Sequence, residues 1–140
     1  MANSIATKNI STQAACTAVQ AAVEKAKELG IGINVCVVDG SATEIAFLRM
    51  NNSFLPSMTI AKDKAYTSAG FGFPTMGWDG ALQGNTQLQA GIVVRPNVVT
   101  FGGGLPIMEG DELIGAIGVS GGTEEEDIIC AQTGIDAISN

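Results

Sequence analysis

Histidine does not occur anywhere among the 140 residues. Its absence removes the side chain that most often acts as a general base near neutral pH and that most often binds metal ions. It also excludes Ser-His-Asp and Cys-His nucleophilic centres. Any chemistry performed by this chain must therefore use lysine, carboxylate, tyrosine, cysteine or backbone groups.

Basic residues are also few: seven lysines and arginines stand against fourteen acidic residues, and the net charge is −7. They are scattered, so no basic surface for nucleic acid is predicted. No apolar run reaches the length of about 18 residues that a membrane helix needs, and the first eight residues do not resemble a signal peptide. We therefore expect one cytoplasmic domain over residues 1–140 that binds neither nucleic acid nor membranes.

Cysteine is scarce, and Cys16, Cys36 and Cys130 have no C-x-x-C spacing. Their apolar contexts predict buried thiols in a reducing compartment. The acidic run at 124–127 does not predict a metal cage, because consecutive helical residues point in different directions. No metal site is expected.

Glycine is abundant and is concentrated in residues 101–123. Gly115 and Gly118 are an odd number of residues apart, so in a strand they point to opposite faces. This predicts a central strand with a layer of helix packed closely on each side. Neither G-x-x-x-x-G-K-[ST] nor G-x-G-x-x-G occurs, and the four carboxylates that follow would repel a phosphate.

Periodicity and turn residues predict an alternation of helices and strands. Helices are predicted at 11–29, at 56–69 with Ser57 as a cap, at about 81–88, and after a capping box formed by Thr123 and Glu126. The last helix is expected to bury Ile128, Ala131, Ile135 and Ile138. Strands are predicted at 33–38 and 44–50, which form a hairpin, and at 98–101, 105–108 and 113–119, which form an antiparallel meander.

Four side chains are candidates for a site. Lys62 and Lys64 flank the packed face of the second helix, and spacing alone does not choose between them; each could equally be a boundary lysine. Arg49 either ends its strand in solvent or points into a site. Trp78 is expected to anchor its loop rather than to line a pocket.

The motifs together resemble a known family. They are Phe101-Gly-Gly-Gly-Leu-Pro-Ile107, Gly115-Ala-Ile-Gly-Val-Ser-Gly-Gly-Thr123, Val37-Val-Asp39, Phe47-Leu-Arg-Met50 and Ala61-Lys-Asp-Lys-Ala-Tyr-Thr67. This combination is similar to the GlcG-type, HbpS-like family, which includes a haem-binding protein and the C-terminal domain of PduO-type corrinoid adenosyltransferases. The resemblance extends over most of the chain.

The resemblance implies an α/β (α+β) fold of the profilin-like, three-layer α/β/α type, with five antiparallel strands in the order 2-1-5-4-3. It also implies a homo-oligomer built from dimers, between a tetramer and an octamer. A ligand pocket is expected near a subunit interface, where the family pattern places Arg49, Lys64, Gly102, Gly103, Gly104 and Pro106.

Haem is a possible cofactor by this resemblance, but the chain has no histidine to bind its iron. The remaining options are Tyr66, Cys36, a methionine, Lys64, or no strong axial bond. Asn51 also stands where relatives often have aspartate, which removes a possible acid or base. The cofactor is therefore left open.

Two functions follow as hypotheses. The first is a small-ligand-binding accessory protein whose pocket accepts a tetrapyrrole (haem or corrinoid) or a short organic acid, with Arg49 and Lys64 meeting a ligand carboxylate. The second is a cofactor-independent lyase or isomerase in which Lys64 acts as acid and base and Arg49 lowers its pKa. A purely structural subunit is a third reading.

Overall fold

The computed structural model describes residues 1–139. The secondary-structure elements follow in the order α1 (Thr12–Leu29), β1 (Asn34–Asp39), β2 (Glu44–Arg49), α2 (Ser57–Phe71), a 3-10 turn (Thr75–Gly77), α3 (Trp78–Leu82), α4 (Thr86–Ile92), β3 (Gly104–Glu109), β4 (Glu112–Ser120) and α5 (Glu124–Asp136). No helix in this described part of the chain is long and apolar enough to cross a membrane.

The four strands form one antiparallel sheet in the order β2-β1-β4-β3. The predicted hairpin is confirmed, since β1 pairs with β2. The turn between them is held by Asp39, whose carboxylate accepts hydrogen bonds from the backbone of Ser41 and Thr43. β4 lies inside the sheet, between β1 and β3, as its glycines predicted.

The prediction of five strands is wrong, because residues 98–101 do not join the sheet. The Thr67 hydroxyl on α2 donates to the carbonyl of Asn97 at 2.9 Å and accepts from the amide of Val99 at 3.0 Å. The amide of Gly102 donates to the Glu124 carboxylate. Side-chain hydrogen bonds thus hold Val99 and the two residues that flank the segment, Asn97 and Gly102. The observed strand order is the predicted order without this missing strand.

Helices cover both faces of the sheet, which confirms the layered prediction. α1 and α5 pack on one face around Ile117 and Val119, and α2 packs on the other around Cys36 and Ala116. Gly118 faces α2 so closely that a Cβ atom there would overlap the carbonyl of Ala61. The glycine therefore sets the distance between helix and sheet.

Most helix ends lie where the capping residues of the sequence predict them. Ser11 caps α1, Gly30 ends it in the left-handed conformation, and Thr123 forms the predicted capping box of α5. Ser57 does not cap α2, because Pro56 occupies the cap position without a side-chain hydrogen bond. The predicted helix at 81–88 is replaced by α3 and α4, with a turn between them.

The buried face of α5 is rotated from the predicted one. The isoleucines lie at its margins, and the fully buried positions are Asp127, Cys130, Ala131 and Gly134. A Cβ atom at Gly134 would lie 2.8 Å from the carbonyl oxygen of Ala18. Close approach to α1 therefore requires the smallest side chains at the contact, and the larger isoleucines flank it.

The cysteines differ in exposure, and the prediction that all three are buried is wrong for Cys16. It lies on the outer surface of α1, whereas Cys36 and Cys130 are buried. Burial raises the pKa of Cys36 to about 12 and that of Cys130 to about 11. Since the thiolate is the reactive form, only Cys16 is expected to react readily.

We expect one thiol per chain to react with Ellman's reagent within minutes at pH 8, and the other two only after denaturation. Cys16→Ser should remove the rapid phase completely, and Cys130→Ser should leave it unchanged. Rapid reaction of two or three thiols in the folded protein would contradict the burial of Cys36 and Cys130.

Candidate functional site

The buried charges of the molecule meet where α2, β4 and α5 come together. The Lys64 ammonium is 1% exposed and donates to a carboxylate oxygen of Asp127 at 3.0 Å. It also donates to the carbonyl oxygen of Val119 at 2.8 Å. Helical spacing did not distinguish the two lysines, and Lys64, the one that the resemblance placed in the site, is buried. Lys62 forms an exposed ion pair with Glu44.

Asp127 is held from two sides. One oxygen accepts the Lys64 ammonium, and the other accepts the backbone N–H of Gly122 at 2.9 Å. Burial raises the pKa of Asp127 and lowers the pKa of Lys64, while each partner opposes the shift of the other. Each charge thus offsets part of the cost of burying the other.

The glycine turn lies directly against this ion pair. Gly103 has φ +128°, and a Cβ atom there would lie 2.6 Å from the Lys64 ammonium nitrogen. A Cβ atom at Gly104 would lie 2.5 Å from the Lys64 carbonyl oxygen. Gly103 and Gly104 are therefore needed because α2 and its buried lysine pass within contact distance of the turn, whereas Gly102 is needed because Ile128 and Glu124 of α5 lie against it.

Two amides of the turn already have partners in the protein. The Gly102 N–H donates to the Glu124 carboxylate at 2.6 Å, and the Gly104 N–H donates to the Thr75 hydroxyl at 2.9 Å. Glu124 thus holds the position that an external anion would take at Gly102.

A cavity of about 640 Å³ lies beside the turn. It is bounded on one side by the segment that carries α3 and α4 and on the other by the glycine turn and the start of α5. Its lining residues are Met76, Asp79, Leu82, Gln83, Gln89, Thr100, Phe101 and Glu124. The Phe101 ring also lies 5.1 Å from the Lys64 ammonium, so it separates the buried lysine from the cavity.

Trp78 anchors the cavity wall, as the sequence favoured. It is 4% exposed and packs edge-on against Phe71 and beside Phe73, with ring centroids 4.9 and 5.0 Å apart. Its neighbours Met76 and Asp79 line the cavity. This aromatic cluster fixes the beginning of a segment whose next helix, α4, has no buried residue in the described chain.

Arg49 lies apart from Lys64 within one chain. Its guanidinium donates to the hydroxyl and the carbonyl of Ser53 at 3.2 and 3.1 Å. It lines a separate shallow cavity of about 350 Å³ with Val23, Lys27, Leu48, Met50 and Asn51. A ligand role for Arg49 stays a prediction, and one protomer does not bring it to the glycine turn.

Only some of the other predicted site residues lie near Lys64 or the cavity. Gly103 lies against the Lys64 ammonium and Gly104 against the Lys64 carbonyl, whereas Gly102 lies against Glu124 of α5. Pro106 lies in β3 opposite Ala116, half-buried, and Tyr66 is exposed on α2; neither lines the cavity beside the turn. Within residues 1–139, no group of three or more cysteine or carboxylate side chains could hold a metal ion.

A family model described as "Haem degrading protein HbpS-like" matches residues 10–136. The chain belongs to this family. The resemblance that the glycine block and the helix of Lys64 indicated is thereby confirmed.

Solved structures support the fold of this HbpS-like protein. Protein ORFY of Klebsiella pneumoniae is 31% identical and superimposes with a TM-score of 0.93, over 99% of this chain and 96% of the other. The PduOC–haem complex is 32% identical, with a TM-score of 0.83, and covers 92% of this chain and 94% of the other.

A longer relative is also similar. The corrinoid adenosyltransferase PduO of Salmonella typhimurium is 37% identical over 122 residues, which are 86% of this chain but only 36% of that protein. The HbpS-like protein therefore corresponds to about a third of the length of PduO.

Sequence reasoning missed several residues of this HbpS-like site. Sequence pattern alone makes Asp127 part of an acidic helix start, although its spacing of four and seven residues from Ala131 and Gly134 gives the buried face of α5. Phe101 was placed in a strand. No local signal indicated that Glu124 bonds to the turn or that the α3 and α4 segment forms a cavity wall.

Proposed function

We propose that this protein is a small-ligand-binding accessory protein and that its ligand is a tetrapyrrole, either haem or a corrinoid. The observation that supports this best is the cavity of about 640 Å³ beside the glycine turn, since small-molecule sites have volumes of about 300–1,000 Å³. The names of relatives agree with it: PduO is a corrinoid adenosyltransferase, and PduOC has been solved with haem.

The lining suits a flat, largely apolar ring. Phe101 is 47% exposed and offers an aromatic face, and Leu82 and Met76 add apolar contact. Of the iron ligands that the sequence offers, which are Tyr66, Cys36, Lys64 and the methionines, Met76 alone lines the cavity in the described part of the chain. Cys36 is buried elsewhere and Lys64 is bound to Asp127, so the Met76 thioether is the group we propose for iron.

A short organic acid has less support as the ligand. The only cation beside the turn is Lys64 among the described residues, and Asp127 neutralises it. The cavity is lined instead by Asp79 and Glu124, whose charges oppose a second carboxylate. We therefore place the tetrapyrrole first and the organic acid second.

Titration with haemin and with cyanocobalamin, followed by quenching of Trp78 fluorescence, tests the proposal. We expect saturable binding of at least one, and we expect Phe101→Ala to weaken it about tenfold, because stacking on an aromatic ring contributes about 0.5–1.5 kcal/mol beyond area. The dissociation constant of each variant is the quantity to measure.

Phe54→Ala is the matched control, since Phe54 is 67% exposed and does not line the cavity. Its dissociation constants should equal those of the unmodified protein. The proposal fails if neither compound binds, or if both phenylalanine variants bind equally well.

A second candidate function is a cofactor-independent lyase or isomerase that uses Lys64 as acid and base. The favouring observation is that burial lowers the pKa of Lys64, as general-base catalysis at neutral pH requires. The Phe101 ring would have to move before a substrate in the cavity could reach the ammonium. Turnover that survives Lys64→Met in a folded variant would eliminate this mechanism.

The proposal includes a cytoplasmic homo-oligomer built from dimers, between a tetramer and an octamer. The exposure of Val93 at 54% and Val94 at 75% supports self-association, because these side chains follow α4 on the outer surface. Neighbouring subunits could then bring Arg49 to the ligand. Light scattering of the purified protein measures the number of subunits.

A further inference from the structure

The charged residues that line the cavity beside the glycine turn are all acidic. Two of its eight lining residues, Asp79 and Glu124, are carboxylates, and none is lysine or arginine. A ligand that brings its own carboxylates into this cavity meets like charge without a cation to compensate it.

The nearest cation does not change this balance. Lys64 lies behind the Phe101 ring and already contacts the Asp127 carboxylate and the Val119 carbonyl oxygen. Its charge is therefore neutralised inside the protein. The amide of Gly102 is likewise bound to Glu124 and is not available to a ligand anion.

The polar lining offers several hydrogen-bond acceptors. One side-chain N–H of Gln89 donates to the backbone carbonyl of Leu82 at 2.7 Å, which orients the amide and leaves its oxygen and its second N–H for a ligand. The Asp79 carboxylate is a further acceptor on the same side of the cavity. Met76, from the same segment as Asp79, and Phe101, from the glycine turn, add apolar surface to the lining.

We infer that the ligand of this cavity is a macrocycle whose rim carries neutral carboxamides, not carboxylates. Amide N–H groups donate to Asp79, Glu124 and Gln89, while the ring packs on Phe101. The inference rests on the proposed function and narrows it, since corrinoids carry amides around the ring and haem carries two propionates.

Three probes test it: haemin, haemin with both propionates converted to amides, and dicyanocobinamide, which is a corrinoid with an amide rim. The two haem compounds share ring and iron and differ at the two propionate positions, where neutral amides with N–H donors replace charged carboxylates. At low ionic strength we expect the diamide to bind about tenfold more tightly than haemin, and cobinamide to bind as well. Salt at 0.5 M should narrow the difference by screening.

Asp79→Asn is the diagnostic variant, because it removes one charge and keeps the shape of the side chain. It should strengthen haemin binding several-fold and weaken diamide binding slightly, because a neutral amide oxygen is a weaker acceptor than a carboxylate. Glu125→Gln is the matched control. Glu125 directly follows Glu124 in the sequence and is exposed, but it does not line the cavity. It should alter neither dissociation constant.

The outcomes separate the two proposals. If none of the three probes binds, the proposed function and this inference both fail. If haemin binds as tightly as its diamide or more tightly, or if Asp79→Asn weakens haemin binding, the amide-rim inference is overturned while tetrapyrrole binding stands.

Discussion

Replacement of Lys64 by methionine is expected to lower the free energy of unfolding by about 3–5 kcal/mol, the usual cost of leaving one member of a buried ion pair without its partner. Asp127 would keep its burial and its bond from the Gly122 amide but lose the ammonium at 3.0 Å. Urea denaturation followed by Trp78 fluorescence measures the change.

The loss should depend on pH. Burial already raises the pKa of Asp127, and without Lys64 the pKa rises further. A carboxyl whose pKa is raised in the folded state holds its proton more tightly there, so folding loses stability as the pH rises from the ordinary carboxyl range through the raised value. The deficit of Lys64→Met should therefore be smaller at pH 5 than at pH 8.

Two further variants make this prediction specific. Lys62→Met removes an exposed lysine of the same helix and should cost less than about 1 kcal/mol. The double variant Lys64→Met with Asp127→Leu removes both charges and should recover most of the loss. Equal destabilisation by the two single lysine variants would show that the buried pair has no special role.

Gly118→Ala is expected to cost about 3 kcal/mol, at the upper end for an overpacked core position. The added Cβ would overlap the Ala61 carbonyl oxygen and lie 2.5 Å from the backbone nitrogen of Ala65. Because these atoms belong to the backbone of α2, the helix as a whole must move away from the sheet. Since α2 also carries Lys64, the ion pair would be disturbed too.

Gly70→Ala is the matched control within α2. No heavy atom lies within 4 Å of a Cβ built there, and its φ is not positive. Alanine should therefore stabilise the helix by about 0.5–1 kcal/mol through the lower entropy of the unfolded chain. If Gly118→Ala were also neutral or stabilising, the close packing of α2 on β4 would be refuted.

Local chemistry predicted much of the architecture. Ser11, Gly30 and Thr123 act through neighbouring atoms only, so the ends of α1 and the start of α5 could be read from the sequence. The opposed glycines of β4 predicted helices on both faces. The segment at 98–101 has the composition of a strand. However, the Thr67 hydroxyl binds the amide of Val99, and the Glu124 carboxylate binds the amide of Gly102 just after the segment. Both side chains come from elements that are distant in the sequence.

By itself the sequence determined the family, the layered antiparallel architecture and the need for glycine beside α2, because these depend on short-range pattern and backbone conformation. Only the tertiary structure decided that Lys64 and not Lys62 is buried, that Asp127 neutralises it, and that Arg49 lies apart within one chain. The charge that a side chain presents to a ligand depends on which groups pack around it, and these groups come from positions as far apart as 64 and 127.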